Sequence, residues 1–295
     1  MQLRSGYLPV DKPPGMTSRD VVNHVQAWFP KTKLGHAGTL DPAATGLLII
    51  GVGSIATRFI EYVQDQEKQY RSVFQLGSIS TTDDADGEIT ENTVVEPPSL
   101  EMIQDQLTKQ TGVIMQTPPA YSAARVMGVR AHTRARRGET VELKPRQISV
   151  YEFQCLRYHF PELEVMVNCS KGTYIRSLAR DLGQILQTGA YVKALRRTRI
   201  GKVNVEDAIN LDSSADEAIK VMLPVSVAVQ HLPRLVASDE ETKRLRQGQI
   251  ILTTSQITGE MGLWNRDTFI GIVKCGEDRV ITPTKMIPTD VTGLD

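Results

Sequence analysis

The stretch from residue 35 to residue 53, GHAGTLDPAATGLLIIGVG, constrains the fold more than any other part of this 295-residue sequence. Its first part is rich in glycine and proline, which is typical of a tight loop because glycine admits unusual backbone angles and proline fixes φ. A continuous apolar run then extends from Leu47 to Val52, and such a run predicts a buried strand. The sequence therefore predicts a constrained loop held against a rigid strand.

The remaining hydrophobic patterns predict an α+β protein whose C-terminal part is rich in strands. We expect strands at 7–13, 70–77, 147–157, 163–169 and 190–200, and helices at about 17–29, 57–63, 100–111 and 177–186. The pattern changes near residues 223–235. Beyond it, short β-rich pieces separated by glycine (249–252, 262–264, 268–273 and 279–283) predict a small barrel of roughly 60 residues.

Composition excludes several classes of protein. The three cysteines are widely spaced, form no CxxC pair and are odd in number, which disfavours disulfides and zinc. The five histidines show no HExxH or HxH spacing, so we expect no metal. No apolar run approaches the roughly 20 residues of a membrane span, and the N-terminus MQLRSGYLPV lacks the apolar core of a signal peptide. We therefore expect a cytoplasmic protein.

The net charge of zero hides a strong asymmetry. Residues 121–202 carry 16 basic and 6 acidic side chains, a net charge of +10, whereas residues 1–120 and 203–295 each carry 9 basic and 14 acidic side chains. A concentrated basic segment is the electrostatic pattern of a nucleic-acid-binding protein. A solvated surface with internal ion pairs would give the same composition, so charge alone leaves both interpretations open.

Asp41 is the acidic residue of the Gly- and Pro-rich loop, directly before the buried strand. A side chain in such a place can be held in one orientation by the rigid element behind it. An isolated loop aspartate is more often a turn former, so spacing alone does not make it catalytic. The nearby Gly51-Val52-Gly53-Ser54-Ile55-Ala56 matches the dinucleotide-binding pattern GxGxxA. The next predicted strand, however, ends in Gly77-Ser78 without the acid that would hold a ribose.

The loop GHAGTLDPAATGLL resembles the signature loop of the bacterial tRNA pseudouridine-55 synthases, the TruB family. Other segments resemble further motifs of the family in the expected order. They are DKPPGMTS at 11–18, KQY at 68–70, PPAYSA at 118–123 and KGTYIRSL at 171–178. The resemblance covers about residues 7–200, and the last 60 residues are similar in size and style to the family's RNA-binding PUA-like barrel.

The resemblance implies a pseudouridine synthase fold, with a mixed and largely antiparallel central sheet flanked by helices and loops. It implies a catalytic domain at 1–228 and a PUA-like RNA-binding domain at 229–295. The implied activity is isomerisation of the T-loop uridine, position 55 of tRNA, to pseudouridine. No group or electron enters or leaves in this reaction, so no cofactor or metal is expected. The implied partner is the T-arm of tRNA, bound by a monomer that needs no other protein.

The resemblance also implies roles for seven residues. The catalytic residues are Asp41, Tyr70 and Arg176, and the substrate-binding residues are His36, Tyr174, Leu195 and Lys12. Asp41 would act as an anion, and Arg176 would favour that anion and lower its pKa. Tyr70 would stack on the target uracil, and Tyr174 and Leu195 would wall the base pocket. Lys12 would shape the site more than act in it.

Each of these roles has a simpler alternative. Without the family match, Arg176 is better explained as a surface phosphate clamp, Tyr70 as a buried strand aromatic and Leu195 as a core residue. His36 is expected to touch the RNA backbone or a flipped base, and a hydrogen-bonded structural histidine fits nearly as well.

One departure from the family pattern follows the Pro-Pro-x-Tyr-Ser-Ala segment. Arg125 and His132 stand where a lysine and a tyrosine are usual. The basic segment, including Arg130, Arg134, Arg136 and Arg137 with Arg125, is expected to contact phosphates. Two other functions stay open: a pseudouridine synthase for another RNA, guide-dependent types included, and a non-catalytic RNA-binding or RNA-folding protein on the same scaffold.

Overall fold

A mixed sheet built around the strand Thr45–Val52 organises the larger part of the chain. The structure is a computed structural model that describes residues 5–122, 125–126, 129–130, 143–254 and 256–288. The strands are β1 (Gly6–Lys12), β2 (Leu34–His36), β3 (Thr45–Val52), β4 (Lys68–Leu76), β5 (Ser78–Ser80), β6 (Ile89–Glu91), β7 (Gly112–Gln116), β8 (Arg125–Val126), β9 (Val129–Arg130), β10 (Arg146–His159), β11 (Glu162–Cys169), β12 (Ala190–Ile200), β13 (Val203–Asn204), β14 (Arg234–Val236), β15 (Ile251–Leu252), β16 (Gly259–Asn265), β17 (Thr268–Cys275) and β18 (Val280–Met286).

Short helices lie between the strands. They are α1 (Ser18–Trp28), α2 (Gly53–Arg58), α3 (Ile60–Asp65), α4 (Leu100–Lys109), α5 (Ile175–Ile185), α6 (Ala215–Lys220) and α7 (Asp239–Arg246), with 3₁₀ turns at Val205–Asp207 and Val225–Val229. Within the described ranges, none of these helices has the length and apolarity needed to cross a membrane.

The central sheet has the strand order β1-β3-β12-β4-β11-β10-β7, with β2 paired to β3 and β13 paired to β12. The pairing of β3 with β12 is parallel, and the other pairings along this path are antiparallel. The expectation of a mixed and largely antiparallel sheet is confirmed. Strands β3 and β12 are parallel, and their register places Thr45 and Gly46 beside Arg196 and Arg197. The loop that precedes β3 therefore lies next to β12.

The burial of β3 explains its continuous apolar sequence. Leu47 and Ile49 pack into one hydrophobic cluster, whereas Leu48 and Ile50 pack into another on the opposite face. A strand covered on both faces loses the usual alternation of polar and apolar residues. In β4 alternate residues are buried against α4 and α5, so this strand covers the core with one face only.

Helix α1 begins and ends close to the predicted positions. Thr17 is the N-cap and forms a reciprocal capping box with Asp20, which satisfies backbone donors that a helix start leaves free. The single helix predicted at 57–63 is instead two short helices, α2 and α3, which meet at Phe59. The ring of Phe59 is fully buried, and tertiary packing of this kind overrides a local helical pattern.

The C-terminal sheet has the order β14-β16-β17-β18-β15, with β14 parallel to β16 and the other pairs antiparallel. Strands β14 and β15 are the two ends of this order among the described residues. The sheet is therefore open there and forms a half-barrel where the sequence predicts a small barrel. Helix α7 covers one face, where Leu245 packs into the cluster that includes Leu263 and Ile270.

A shared hydrophobic cluster joins the two sheets. It contains Phe59 from the α2–α3 junction, Val225 and Val227 from the second 3₁₀ turn, and Phe269 from β17. The rings of Phe59 and Phe269 meet edge to face with centroids 5.5 Å apart. The predicted boundary between residues 228 and 229 crosses this cluster, and it stays a prediction.

We expect Phe269→Ala to lower the free energy of unfolding by about 3–5 kcal/mol, because it removes a buried ring and leaves a cavity. Denaturant unfolding followed by fluorescence or circular dichroism measures this change. Leu252→Ala in β15 is the control, since Leu252 is exposed and its truncation should cost less than about 0.5 kcal/mol. A cost below about 1 kcal/mol for Phe269→Ala would contradict a shared core.

Candidate active site

A cavity of about 620 Å³ opens between the loop before β3, strands β4 and β12, and the start of α5. Five of the seven predicted site residues line it: Asp41, Tyr70, Tyr174, Arg176 and Leu195. The other lining residues are Gly38, Thr39, Leu40, Gln64, Asp65, Lys68, Arg146, Gln147, Ile148, Ser170, Lys171, Gly172, Thr173, Ile175 and Arg197.

The backbone on both sides of Asp41 is fixed by hydrogen bonds. Before it, the Ser18 hydroxyl accepts from the amide of Leu40 at 2.9 Å and donates to the Leu40 carbonyl at 3.1 Å. After it, the Pro42 carbonyl accepts from Lys12 Nζ at 3.0 Å and from the amide of Gly15 at 2.9 Å. The loop is therefore held rigidly, although it has no regular secondary structure.

Gly46, the second residue of β3, allows the end of this loop to pack closely against β12. Its φ is +99°, and a Cβ at this position would collide with the backbone carbonyl of Arg197. Glycine is needed here both for the left-handed backbone and for the close approach. The contact brings the Asp41 loop and the Arg197 strand together.

Asp41 forms an ion pair with Arg176, with Oδ2 and Nη2 3.1 Å apart. Arg176 lies in the first turn of α5, and its side chain is only 7% exposed, whereas 41% of the Asp41 side chain is exposed to the cavity. A buried guanidinium thus faces a carboxylate that a ligand in the cavity can reach.

Three further acceptors hold Arg176 in place. Nη1 donates to the Thr82 carbonyl at 3.0 Å and to Asp84 Oδ2 at 2.9 Å, and Nη2 donates to the Tyr121 carbonyl at 2.9 Å. Because its hydrogen bonds are largely satisfied by the protein, the guanidinium is a fixed part of the site.

Desolvation dominates the titration of Asp41. Burial raises the pKa of its carboxyl above the ordinary value, the charges of Asp84 and Asp86 raise the pKa further, and Arg176 and Lys12 act in the opposite direction. The family resemblance implies a pKa lowered by Arg176. Arg176 does favour the anion, but the net direction is upward because the loss of hydration at the cavity floor outweighs the ion pair.

Tyr70 lies on the face of β4 that points into the cavity, opposite Arg197 of β12. Burial raises the pKa of its hydroxyl, and a hydrogen bond with Arg197 opposes that shift. Arg197 is itself buried, with Nε donating to the Leu47 carbonyl at 2.7 Å and Nη2 to the Gly38 carbonyl at 3.2 Å. One side chain therefore connects Tyr70 to both ends of the Asp41 loop.

Tyr174 is the N-cap of α5 and is positioned through its backbone. The Gln116 side chain donates to the Tyr174 carbonyl at 3.0 Å and accepts from the Tyr174 amide at 2.9 Å. The guanidinium of Arg146 lies over the ring, 4.7 Å from its centroid. Leu195 of β12 is partly exposed and lines the same cavity, so a planar group could contact both side chains.

Lys68 also lines the cavity, two residues before Tyr70 on the same face of β4. Its ammonium donates to the backbone carbonyls of Gln64 and Gln66. Burial lowers its pKa to about 8, and the charge of Arg197 acts in the same direction. The cavity floor thus carries a cation that titrates close to neutral pH.

Lys12 and His36 lie outside the cavity lining. Lys12 is fully buried, and its ammonium donates to the carbonyls of Pro13, Met16 and Pro42 at 2.6–3.0 Å. An ammonium has three donors, and these three carbonyls use all of them. Lys12 therefore holds backbone groups of the protein and has no donor left for a substrate. His36 ends β2, and burial lowers the pKa of its ring.

Three residues of this site were missed by the sequence analysis: Asp84, Gln116 and Arg197. Asp84 lies in an acidic turn, Gln116 ends an edge strand, and Arg197 is one of two adjacent arginines. Nothing local distinguishes them from surface residues, because the partners that place them in the site are between 58 and 159 positions away.

No group of three or more His, Cys, Asp or Glu side chains that could hold a metal occurs in the part of the chain that the structure describes. The predictions for Arg125, Arg130, His132, Arg134, Arg136 and Arg137 concern side chains outside that part.

Solved structures share this fold. The chain of a Cbf5–Nop10–Gar1 complex superposes with a TM-score of 0.76 at 23% identity, over 97% of this chain and 86% of that one. A chain of an H/ACA RNP bound to a substrate RNA containing 2′-deoxyuridine gives a TM-score of 0.73, also at 23% identity and with the same coverage. At this level of identity the likeness establishes the pseudouridine synthase fold alone.

Sequence comparisons define the family. The model of the TruB family pseudouridylate synthase N-terminal domain matches residues 26–175, and that of the tRNA pseudouridylate synthase B C-terminal domain matches residues 176–230. The tRNA pseudouridine synthase B of Thermobifida fusca is 42% identical over 90% of this chain and 92% of that protein. The protein of the same name from Actinobacillus pleuropneumoniae is 37% identical over 96% and 95%. The resemblance found in the sequence is confirmed, and the chain belongs to the TruB family of pseudouridylate synthases.

Proposed function

We propose that this chain isomerises the T-loop uridine at position 55 of tRNA to pseudouridine, with Asp41 as the catalytic carboxylate. The observation that carries the proposal is the pairing of a cavity-facing Asp41 with the buried Arg176 at 3.1 Å. The relatives that share 36–42% of their residues with this chain over most of its length are named tRNA pseudouridine synthase B, which favours tRNA over other RNA as the substrate.

The reaction requires a charged group beside the sugar and the base. The bond between N1 and C1′ breaks, the uracil turns, and a bond between C5 and C1′ forms. C5 loses a proton and N1 gains one, so atoms and electrons balance without a second substrate. The Asp41 carboxylate can add to the base, attack C1′ or take a proton from the ribose. Arg176 favours its anion in each case.

The cavity offers complementary surfaces for one extruded nucleotide. Tyr70 and Tyr174 supply aromatic faces and Leu195 an apolar one, and stacking on such faces offsets the roughly few kcal/mol that flipping a base costs. Lys12 holds the Asp41 loop from behind. His36, beside that loop, is proposed to contact the RNA.

Phosphate contacts are proposed to come from the basic segment 121–202, with its net charge of +10. The C-terminal region, residues 229–295, is proposed as a PUA-like RNA-binding domain. The protein is further proposed to act in the cytoplasm as a monomer, without a guide RNA or a protein partner. Folded RNA of this kind is recognised largely through its shape.

We expect Asp41→Asn to bind T-arm RNA normally and to lower single-turnover conversion by at least about a thousandfold, because the anion is lost while the side-chain volume is kept. Pseudouridine is mapped in the RNA after incubation. Asp65→Asn is the matched control, since Asp65 lines the same cavity, is also 41% exposed and pairs with Lys171. Equal losses in both variants would refute a specific role for Asp41.

The raised pKa of Asp41 predicts the acid side of the pH–rate profile. Since the anion is the active form, the rate should fall as the pH drops through a pKa above the ordinary aspartate value. Asp86 is exposed and raises the pKa of Asp41 through its charge. Asp86→Asn should therefore move the acid limb to lower pH. Asp267→Asn, at an exposed position of the C-terminal sheet, is the control, and equal profiles for the two variants would contradict this assignment.

The T-arm alone should suffice as substrate, and its affinity should fall steeply with salt because phosphate contacts release counterions. Binding is measured with T-arm RNA between about 50 and 200 mM KCl, where six or more contacts would cost about a thousandfold. Conversion is compared between the T-arm and a panel of other stem-loops. Equal conversion of unrelated stem-loops would remove the assignment to position 55.

A further inference from the structure

Helix α5 carries a second arginine, Arg180, one turn after Arg176. Positions four apart lie on the same face of a helix, so both guanidinium groups face the turn at residues 82–84. Arg180 Nη1 lies 3.1 Å from Asp83 Oδ2, and Nη2 donates to the Thr117 carbonyl at 2.9 Å. The sequence resemblance assigns no role to Arg180.

Two consecutive aspartates of the acidic turn are divided between the two arginines. Asp84 pairs with Arg176 at 2.9 Å and Asp83 pairs with Arg180 at 3.1 Å. Both carboxylates are largely buried, with side chains 12% and 16% exposed. Asp83 has a left-handed backbone, with φ of 61°, and its carbonyl accepts from the amide of Val192 at 3.0 Å. The backbone of the turn therefore fixes the positions from which the Asp83 and Asp84 side chains extend.

Arg176 is the residue for which these carboxylates compete. Arg176 forms ion pairs with Asp41 and Asp84, and its charge also acts to lower the pKa of Asp83. Two carboxylates therefore contact one buried guanidinium, and a third, that of Asp83, lies within range of its charge. Arg180 pairs with that third carboxylate.

We propose that Arg180 is a positioning residue of the active site, which holds and neutralises Asp83 so that Arg176 remains paired with Asp41. The inference rests on the proposed catalytic role of Asp41. Asp83 follows Thr82 and precedes Asp84 in the turn, pairs with Arg180, and is acted on by the charges of Arg176 and of Asp181, which itself pairs with Arg180 at 2.8 Å. Without Arg180, Arg176 is the remaining cation in this group, and Asp83 draws on it at the expense of Asp41.

Arg180→Gln removes the charge and keeps a polar side chain. We expect single-turnover conversion of T-arm RNA to fall about tenfold, the size of effect typical of a coupled charge network. The dissociation constant for the RNA should stay within about twofold, because the change acts on the catalytic pair. Arg180→Lys keeps the cation and should restore most of the rate.

The alternative is that Arg180 only holds the Thr117 carbonyl, four residues before the basic segment. The double variant Asp83→Asn with Arg180→Gln separates the two roles. If Arg180 neutralises Asp83, removing that carboxylate should return the rate to within about threefold of wild type. If Arg180 is only a clamp, the double variant should be as slow as Arg180→Gln, and the proposal is overturned.

The pH–rate profile provides a readout that a purely structural loss would not change. An unpaired Asp83 anion beside Arg176 leaves Asp41 harder to ionise, so the acid limb in Arg180→Gln should move to higher pH and return in the double variant. An unmoved acid limb would count against the proposal.

Two controls complete the experiment. Lys109→Ala removes an exposed ion pair with Asp105 and should leave the rate unchanged, whereas an equal loss there would overturn the assignment of the effect to Arg180. Asp41→Asn is measured in the same assay. If Asp41→Asn is inactive and Arg180→Gln is fully active, the positioning role of Arg180 is refuted and the proposed function is kept. If Asp41→Asn is active, the proposed function itself fails.

Discussion

The ion pair between Asp41 and Arg176 is the contact on which the rest of the site depends. It joins a loop before β3 to the first turn of α5, 135 positions later in the chain. The parallel pairing of β3 with β12 brings the loop to the middle of the sheet, and the packing of α5 against β12 brings the arginine to the same place. The central sheet therefore sets the distance of 3.1 Å between the Asp41 carboxylate and the Arg176 guanidinium.

A buried guanidinium is costly unless its donors are satisfied. The protein meets this cost with the carbonyls of Thr82 and Tyr121 and with the carboxylate of Asp84. Asp41 is then the partner that remains partly exposed to the cavity. This arrangement leaves the carboxylate in a poorly hydrated place, and burial raises its pKa. The charge of Arg176 opposes that shift and the charge of Asp84 adds to it.

Rigidity around Asp41 comes from polar contacts as much as from packing. Ser18, Lys12 and Arg197 each use side-chain donors on backbone carbonyls of the same loop. Such side chains are buried because the loop carbonyls would otherwise lack partners. The same principle explains why Lys12, in a motif that resembles the family, stands behind the site rather than inside it.

The sequence by itself determined the elements whose signal is local. The apolar run of β3, the capping box of α1 and the alternating strands β4 and β11 follow from hydrophobic spacing and cap residues. The family motifs indicated Asp41, Tyr70 and Arg176. Only the tertiary structure decided that Asp84, Arg197 and Arg180 belong with them, that α2 and α3 are separate, and that the C-terminal sheet is open among its described strands. The physical reason is range: periodicity and capping act over a few residues, whereas ion pairs, desolvation and sheet closure depend on groups that only the folded chain brings together.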